Sequence, residues 1–372
     1  MSPSATTPTP SPIGSSPDPA SGPNALRRHI SFRSATALVI ANIIGAGIFT
    51  TTGFQAADLG HPVYIFALWI VGGGLALVGA LCYAELGAMM PRAGGEYVYL
   101  RETYGAAAGF MSAFISLVAG FSAPIASATK SFVFYLGHFF PALAGEEPVA
   151  AGIAAVDLTA LVIVWGLVLI HARAVRIGVG FIDWMTVFKV AGIVAIILAA
   201  AVMGRGDLSN FTEVAPWYPE MSAPTVLAAF GTSLIFVMFA FAGWNAAAYV
   251  AGEMDDPQRD LPRALISGTC LVLVLYLGLN AVYFYGASVT ELAGQVEVGL
   301  VASRNLFGGW GVAMVTLVLC ISILASASAM TMAGPRVYYA LGRDFSVFSF
   351  LSRTRADGAP ALALLVQGVV TS

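Results

Sequence analysis

The chain has 372 residues, 58% of them hydrophobic and 10% charged, and a formal net charge of -3. Soluble domains carry roughly 25% charged residues, so this composition, with a mean hydropathy of +0.83, excludes a soluble fold and predicts an all-α polytopic membrane protein. The small net charge and the lack of any basic run with interleaved aromatics exclude nucleic acid as a partner and leave the lipid bilayer as the surroundings.

Met1 to about Pro23 is rich in Ser, Pro and Thr and nearly uncharged, which predicts a disordered tail over residues 1–30. It does not read as a signal peptide, because no apolar stretch follows a basic one within the first 30 residues. A helix needs about 20 apolar residues to cross a bilayer. Cutting the remaining chain, residues 31–372, at its charged and Pro/Gly-rich breaks predicts spans over 34–57, 62–89, 106–136, 155–173, 178–204, 224–254, 264–287 and 310–340, with a ninth beginning at 360–372. That last stretch stops in mid-span at Ser372, which reads either as a fragment or as a partial helix.

The basic residues check the count. Arg27, Arg28 and Arg33 precede the first span; Arg92 and Arg101 follow the second; Arg173 and Arg176 the fourth; Arg259 and Arg263 the sixth; Arg336, Arg343, Arg353 and Arg355 close or follow the eighth. All of these fall on one side, against Arg205 and Arg304 on the other, and the positive-inside rule makes that side, with the N-terminus, cytoplasmic in the plasma membrane. Lys130 and Lys189 lie inside spans. Cys82, Cys270 and Cys320 fall in apolar stretches and read as small buried hydrophobes rather than a disulfide framework or metal site.

Two spans are interrupted. The first breaks at Gly45-Ala46-Gly47, and the sixth at Phe241-Ala242-Gly243-Trp244-Asn245 before Glu253 to Pro257. Glycine costs a helix about 1 kcal/mol relative to alanine, and unwound backbone presents N–H and C=O groups that lipid cannot satisfy. Broken helices at matching positions of two halves point to an inverted-repeat transporter with a midplane site. A half-helix N-terminus suits a carboxylate and a half-helix C-terminus suits an ammonium, so a zwitterion such as an amino acid fits both. The plain alternative for a glycine cluster is close helix packing, which is the reading for Gly72-Gly73-Gly74.

Lysine in mid-span costs about 2.5–3.5 kcal/mol on insertion scales and usually faces a cavity or a partner. Lys189 is read that way, and Lys130 as a side chain that snorkels to the interface. Ser322, Ser326 and Ser328 can bond helix to helix or reach Lys189. Trp244 is either a gate or a packed aromatic. Pro91 to Gly105, with Arg92, Glu96, Arg101 and Glu102, is either a cytoplasmic gate segment or a solvated charged face, and Asp255, Asp256, Arg259 and Asp260 invite the same two readings.

Three stretches resemble the amino acid–polyamine–organocation permeases, and within them the L-type amino acid transporter branch. They are IANIIGAGIFTTTG (Ile40 to Gly53), YAELGAMMPRAGGEYVYLRETYG (Tyr83 to Gly105) and FAFAGWNAAAYVAGEMDDPQRDLPRAL (Phe239 to Leu265). The resemblance runs from about Arg33 to the end, with the motifs in the family's order. It implies a five-plus-five inverted-repeat fold, with a first repeat over about 34–204, an incomplete second over about 224–372, and nine of the expected twelve spans present. Carried over by position, amides around Ala46, Gly47 and Ile48 would hold the substrate carboxylate, with Gly45 beside them in the site, and carbonyls near Ile43, Phe241 and Ala242 would hold its amino group. The substrate side chain would face Gly243, Trp244 and Asn245. Ala242 stands where many relatives have glycine. The resemblance also places Lys189 where many sodium-independent relatives have a lysine in place of a bound sodium ion, bridging spans one, five and eight. Because burial favours a neutral amine, such a lysine could also carry a proton.

No enzyme is expected. His29, His61, His138 and His171 are scattered, Glu85, Asp183 and Glu253 sit near span ends where a carboxylate can stay wet, and no cofactor or metal motif occurs. The expected function is a secondary amino acid permease, an exchanger or a proton symporter. The alternatives are a non-transporting or incomplete relative and a polyamine permease; the latter ranks lower, since no acid cluster stands beside the breaks.

Overall fold

The structure, a computed structural model, describes residues 26–150, 152–203 and 205–372. Most of the expected tail lies outside them. The first span is a pair of helices, α1 (Phe32–Ile43) and α2 (Gly47–Leu59), bent by 40° at the break. The second is α3 (Pro62–Met89), followed by the short α4 (Glu96–Tyr104). The third runs from Ala106 to Leu136 as α5 (Ala106–Ile115), a π-helical segment (Ser116–Ser122) and α6 (Ala123–Leu136). A small antiparallel hairpin, β1 (Pro148–Ala150) and β2 (Ile153–Ala154), leads to α7 (Ala155–Arg173) and α8 (Val175–Met203). The sixth span begins with α9 (Ala223–Ala240) and, after a turn, continues only as α10 (Ala246–Tyr249) and a 3-10 turn (Ala251–Glu253). Then come α11 (Pro257–Gly286), the short α12 (Val289–Leu292) and α13 (Val298–Phe307), the long α14 (Gly309–Asp344) and α15 (Ala361–Thr371). Among the described residues seven helical stretches are long and apolar enough to cross a membrane, or eight if the bent pair counts as one span.

Local chemistry sets the helix ends. Ser31 and Ser222 accept hydrogen bonds from the amides three residues on and so cap α1 and α9. His61 caps α3, with Pro62 in its first turn, and α3 stops before Pro91. The second, third and fourth spans coincide with the sequence reading. The seventh starts earlier than expected, at Pro257 instead of 264, because Arg259, Asp260 and Arg263 occupy the first turns of α11, where a helix can carry charge in water. The second half of the sixth span unwinds more than expected, and α12 and α13 were not anticipated.

α1 is the hub: it packs against α8, α11 and α14, while α2 packs against α9, and α3 against α9 and α11. Beside the breaks, Trp69 of α3 lies 5.3 Å from Tyr276 and 6.0 Å from Phe241, ring centre to ring centre, and its indole donates to Gln55 at 2.9 Å. This aromatic wedge locks the second, sixth and seventh spans together.

Two sequence expectations fail here. Glu253 is not wet: it is fully buried and paired with Arg336 of α14, Nε to Oε1 at 2.7 Å and Nη2 to Oε2 at 2.9 Å. Its partner lies 83 residues further along the chain, on α14, and nothing around Glu253 in the sequence points to it. Cys82 is exposed on α3, and only Cys320 is fully buried. Lys130 is exposed as expected and pairs with Asp157 at 2.7 Å.

Candidate functional site

At the first break the chain leaves α1 and enters α2 through Gly45 and Ala46. Among the described residues the amides of Gly45, Ala46, Gly47 and Ile48 meet no backbone acceptor, and the next amide, Phe49, folds back onto the Ala46 carbonyl at 3.0 Å. The N-terminus of α2 therefore presents unbonded N–H groups and the positive end of a helix dipole.

The C-terminus of α1 is capped by side chains from three other helices. Lys189 of α8 donates from Nζ to the carbonyls of Ala41 at 3.0 Å and Ile44 at 2.6 Å. Ser326 of α14 donates to the Asn42 carbonyl at 3.3 Å, and Tyr276 of α11 donates to that of Ile43 at 3.1 Å. Each carbonyl of the last turn of α1 thus has a donor, and the ammonium sits at the negative end of that helix. Lys189 is fully buried, as its mid-span position demands. It bridges the first and fifth spans, and the serines of the eighth bond elsewhere: Ser326 to α1, and Ser328 to His171 of α7 at 2.9 Å.

Tyr276 joins the two breaks, because its hydroxyl also contacts the Ala240 carbonyl at the end of α9, at 3.0 Å. In the second break the carbonyls of Phe241 and Ala242 accept no bond among the described residues. Gly243 has φ +100°, which disfavours any side chain, and a Cβ there would come within 2.6 Å of Asn42 Nδ2. Asn42 lies between the breaks, donating to the Gly243 carbonyl at 3.4 Å, with its own Oδ1 buried and unpartnered.

A cavity of about 560 Å³ opens over these groups, walled by the two breaks, the π-helical segment, α6 and α14. Of the residues expected at the site, Ile43, Gly45, Ala46, Gly47, Ala242, Gly243 and Asn245 line it. Ile48 and Phe241 are fully buried behind it, with the Phe241 ring packed at a tilt against Trp69 and Tyr276. Trp244 turns away to pack on Tyr83, ring centres 4.9 Å apart, and against Gly79.

Sequence reading missed Asn42, Tyr276 and the place of Glu96. An amide three residues before the glycine pair was a usable signal for Asn42. Glu96 was left between a gate segment and a solvated face; it lines the cavity, where its Oε2 accepts from Asn245 Nδ2 at 3.0 Å and Tyr83 Oη at 3.1 Å.

The glycines of the first break differ in tolerance. A Cβ on Gly47 would lie 3.0 Å from the Ala240 Cβ and 3.1 Å from its Cα, whereas on Gly45 the nearest atom, Ser326 Oγ, is 3.7 Å away. Gly47→Val should therefore wedge the two breaks apart, at about 1–3 kcal/mol of overpacking, and lower substrate affinity at least tenfold, while Gly45→Ala should change it little. Ligand-binding titrations of the two purified variants check this contrast; equal effects at both positions would remove it.

A model of the amino acid permease family matches residues 30–372. The b(0,+)-type amino acid transporter 1 of Mus musculus is 29% identical over 343 residues, which cover 91% of this chain and 68% of that protein. The serine/threonine exchanger SteT of Bacillus subtilis (strain 168) is 29% identical over 86% of this chain and 69% of its own length. The large neutral amino acids transporter small subunit 2 of Homo sapiens is 28% identical over 93% of this chain and 64% of its own length. With the family model spanning both broken helices and the cavity between them, the chain belongs to the amino acid permease family.

Proposed function

We propose that the chain carries a zwitterionic amino acid across the plasma membrane by alternating access, without ATP, as a sodium-independent exchanger or a proton symporter. The observation that carries this reading is the cavity between the breaks, which sets the unbonded amides at the start of α2 against the unbonded carbonyls of Phe241 and Ala242. The amides suit a carboxylate, and the two carbonyls with Asn42 Oδ1 suit an ammonium. Ile43, whose carbonyl already holds the Tyr276 hydroxyl, keeps one lone pair for the same ammonium. Lys189 stands in for a cation at the end of α1 and is the candidate proton carrier.

The N-terminus is proposed to be cytoplasmic. The basic segments supporting that orientation meet at one end of the bundle: Arg101 lies 3.0 Å from Asp344, Tyr97 donates to Asp344 at 2.8 Å, and the amides of His29 and Ile30 both bond the Glu253 carbonyl at 2.9 Å. Burial, and then the bond to Asp344, push the Tyr97 phenol above its ordinary range, so it remains a donor at neutral pH. These contacts support a state closed at its cytoplasmic end.

The test is uptake of a labelled amino acid into vesicles containing the purified protein, competed by each of the twenty common amino acids, with and without a pH gradient. Competition by a subset of amino acids is expected. If no amino acid enters or competes, the reading fails; stimulation by an inward proton gradient selects symport, and stimulation by internal amino acid selects exchange.

A further inference from the structure

Among the described residues lining the cavity, Glu96 is the one charged side chain. Neither lysine nor arginine faces it there. The arginines nearest in the chain are engaged elsewhere, Arg92 with Glu102 at 2.7 Å and Arg101 with Asp344 at 3.0 Å. The Oε2 of Glu96 accepts from Tyr83 and Asn245, and the Tyr249 hydroxyl also faces this carboxylate, so its partners are all neutral donors and its charge has no counter-charge among the described residues that line the cavity. The carboxylate is joined directly to the second break, since the same Asn245 amide also contacts the Tyr249 hydroxyl at 3.1 Å and both of those residues line the cavity.

We propose that Glu96 recognises the cargo's side chain and that the cavity takes amino acids with a cationic side chain. The proposal rests on the reading that the breaks hold an amino acid's head group. The groups assigned to that head group balance among themselves: amides for its carboxylate, carbonyls and Asn42 Oδ1 for its ammonium. Glu96 is left over with one negative charge, and closing the cavity around it would dehydrate an unpaired carboxylate, which is strongly unfavourable. A second cationic group on the cargo removes that penalty by giving the carboxylate a charged partner. The size of the space agrees: about 560 Å³ leaves room for a long side chain beyond the head group. The hydroxyls of Ser116, Ser127 and Ser131 on the same walls can hydrate or bind the stem's polar end. An apolar cargo side chain would leave the carboxylate dry and unpaired, and an acidic one would add a like charge.

The experiment uses the full chain in vesicles, with labelled L-leucine and labelled L-arginine as probes and unlabelled L-arginine, L-ornithine and L-leucine as competitors. In the wild type, L-arginine and L-ornithine should compete at lower concentration than L-leucine. In Glu96→Gln the ratio of the half-inhibiting concentrations of L-arginine and L-leucine should rise at least tenfold, and Glu96→Asp should recover part of the difference. A wild type in which neutral amino acids compete and cationic ones do not overturns the proposal. So does a Glu96→Gln protein that loses both probes in equal proportion, which would make Glu96 only a support for Asn245. If no amino acid of any class enters or competes, the head-group reading itself has failed. If the glutamine variant is not monodisperse in detergent, the wild-type competition series decides alone.

Discussion

Lys189→Ala is expected to lower amino acid uptake in vesicles by more than about a hundredfold while the protein remains monodisperse in detergent. Its Nζ caps the carbonyls of both Ala41 and Ile44, one on each side of the two residues capped by Ser326 and Tyr276. Hydrogen bonds from a charged donor contribute about 1.5–3 kcal/mol each, so the substitution removes several kcal/mol from the geometry of one break. It also opens a void where a long side chain is fully buried. The damage is local to the end of α1, which is why transport should suffer far more than folding. Lys189→Met, which keeps the stem and removes the charge, should preserve more stability than the alanine variant and restore no uptake. Wild-type, pH-independent uptake in Lys189→Ala would remove Lys189 from the mechanism.

The features legible in the sequence are those whose cost in lipid is local. Gly45 and Gly47, in an apolar run, announce unwound backbone, and the 40° bend between α1 and α2 falls there. Lys189 in mid-span announces a partner, and it has two. The spans themselves are written in hydropathy, so 62–89, 106–136 and 155–173 match α3, the α5–α6 stretch and α7. What stayed hidden depends on pairing between distant segments. Nothing near Tyr276 distinguishes it from an ordinary aromatic in an apolar helix, yet it bonds a carbonyl 233 residues away. Trp244 beside a break looks like a gate, but a glycine on α3 offers it a flat surface to pack on instead. Glu96 sits in a charged segment that reads equally as a gate and as a solvated face. Only the fold shows that α4 carries it under the second break.

Glu253→Ala and Arg336→Ala should each destabilise the protein severely, and the combination of Glu253→Leu with Arg336→Met should recover most of the loss. The pair is almost completely buried, with two hydrogen bonds between guanidinium and carboxylate and a third from Nη1 to the Met332 carbonyl at 2.5 Å. Removing one partner strands the other charge out of water, which costs about 3–5 kcal/mol, whereas replacing both by apolar groups of similar volume is often neutral. Melting in detergent should show each single variant lower by on the order of 10 °C, and a double-mutant cycle should give a coupling of several kcal/mol. Two near-neutral single variants would show that the pair carries no such energy. Transport should separate from stability in the apolar double variant. Glu253 ends the segment that follows the second break, and its own carbonyl holds the amides of His29 and Ile30, so it ties the chain before α1 to α14 through one residue. A movement that separates Glu253 from α14 has to break this ion pair, and a buried pair is costly to break. With the charges gone the tie is looser, the closed state is less favoured, and the stability-restored double variant should exchange its amino acid at an altered rate. A wild-type rate in that variant would place the rate-limiting opening somewhere other than the contact between Glu253 and α14.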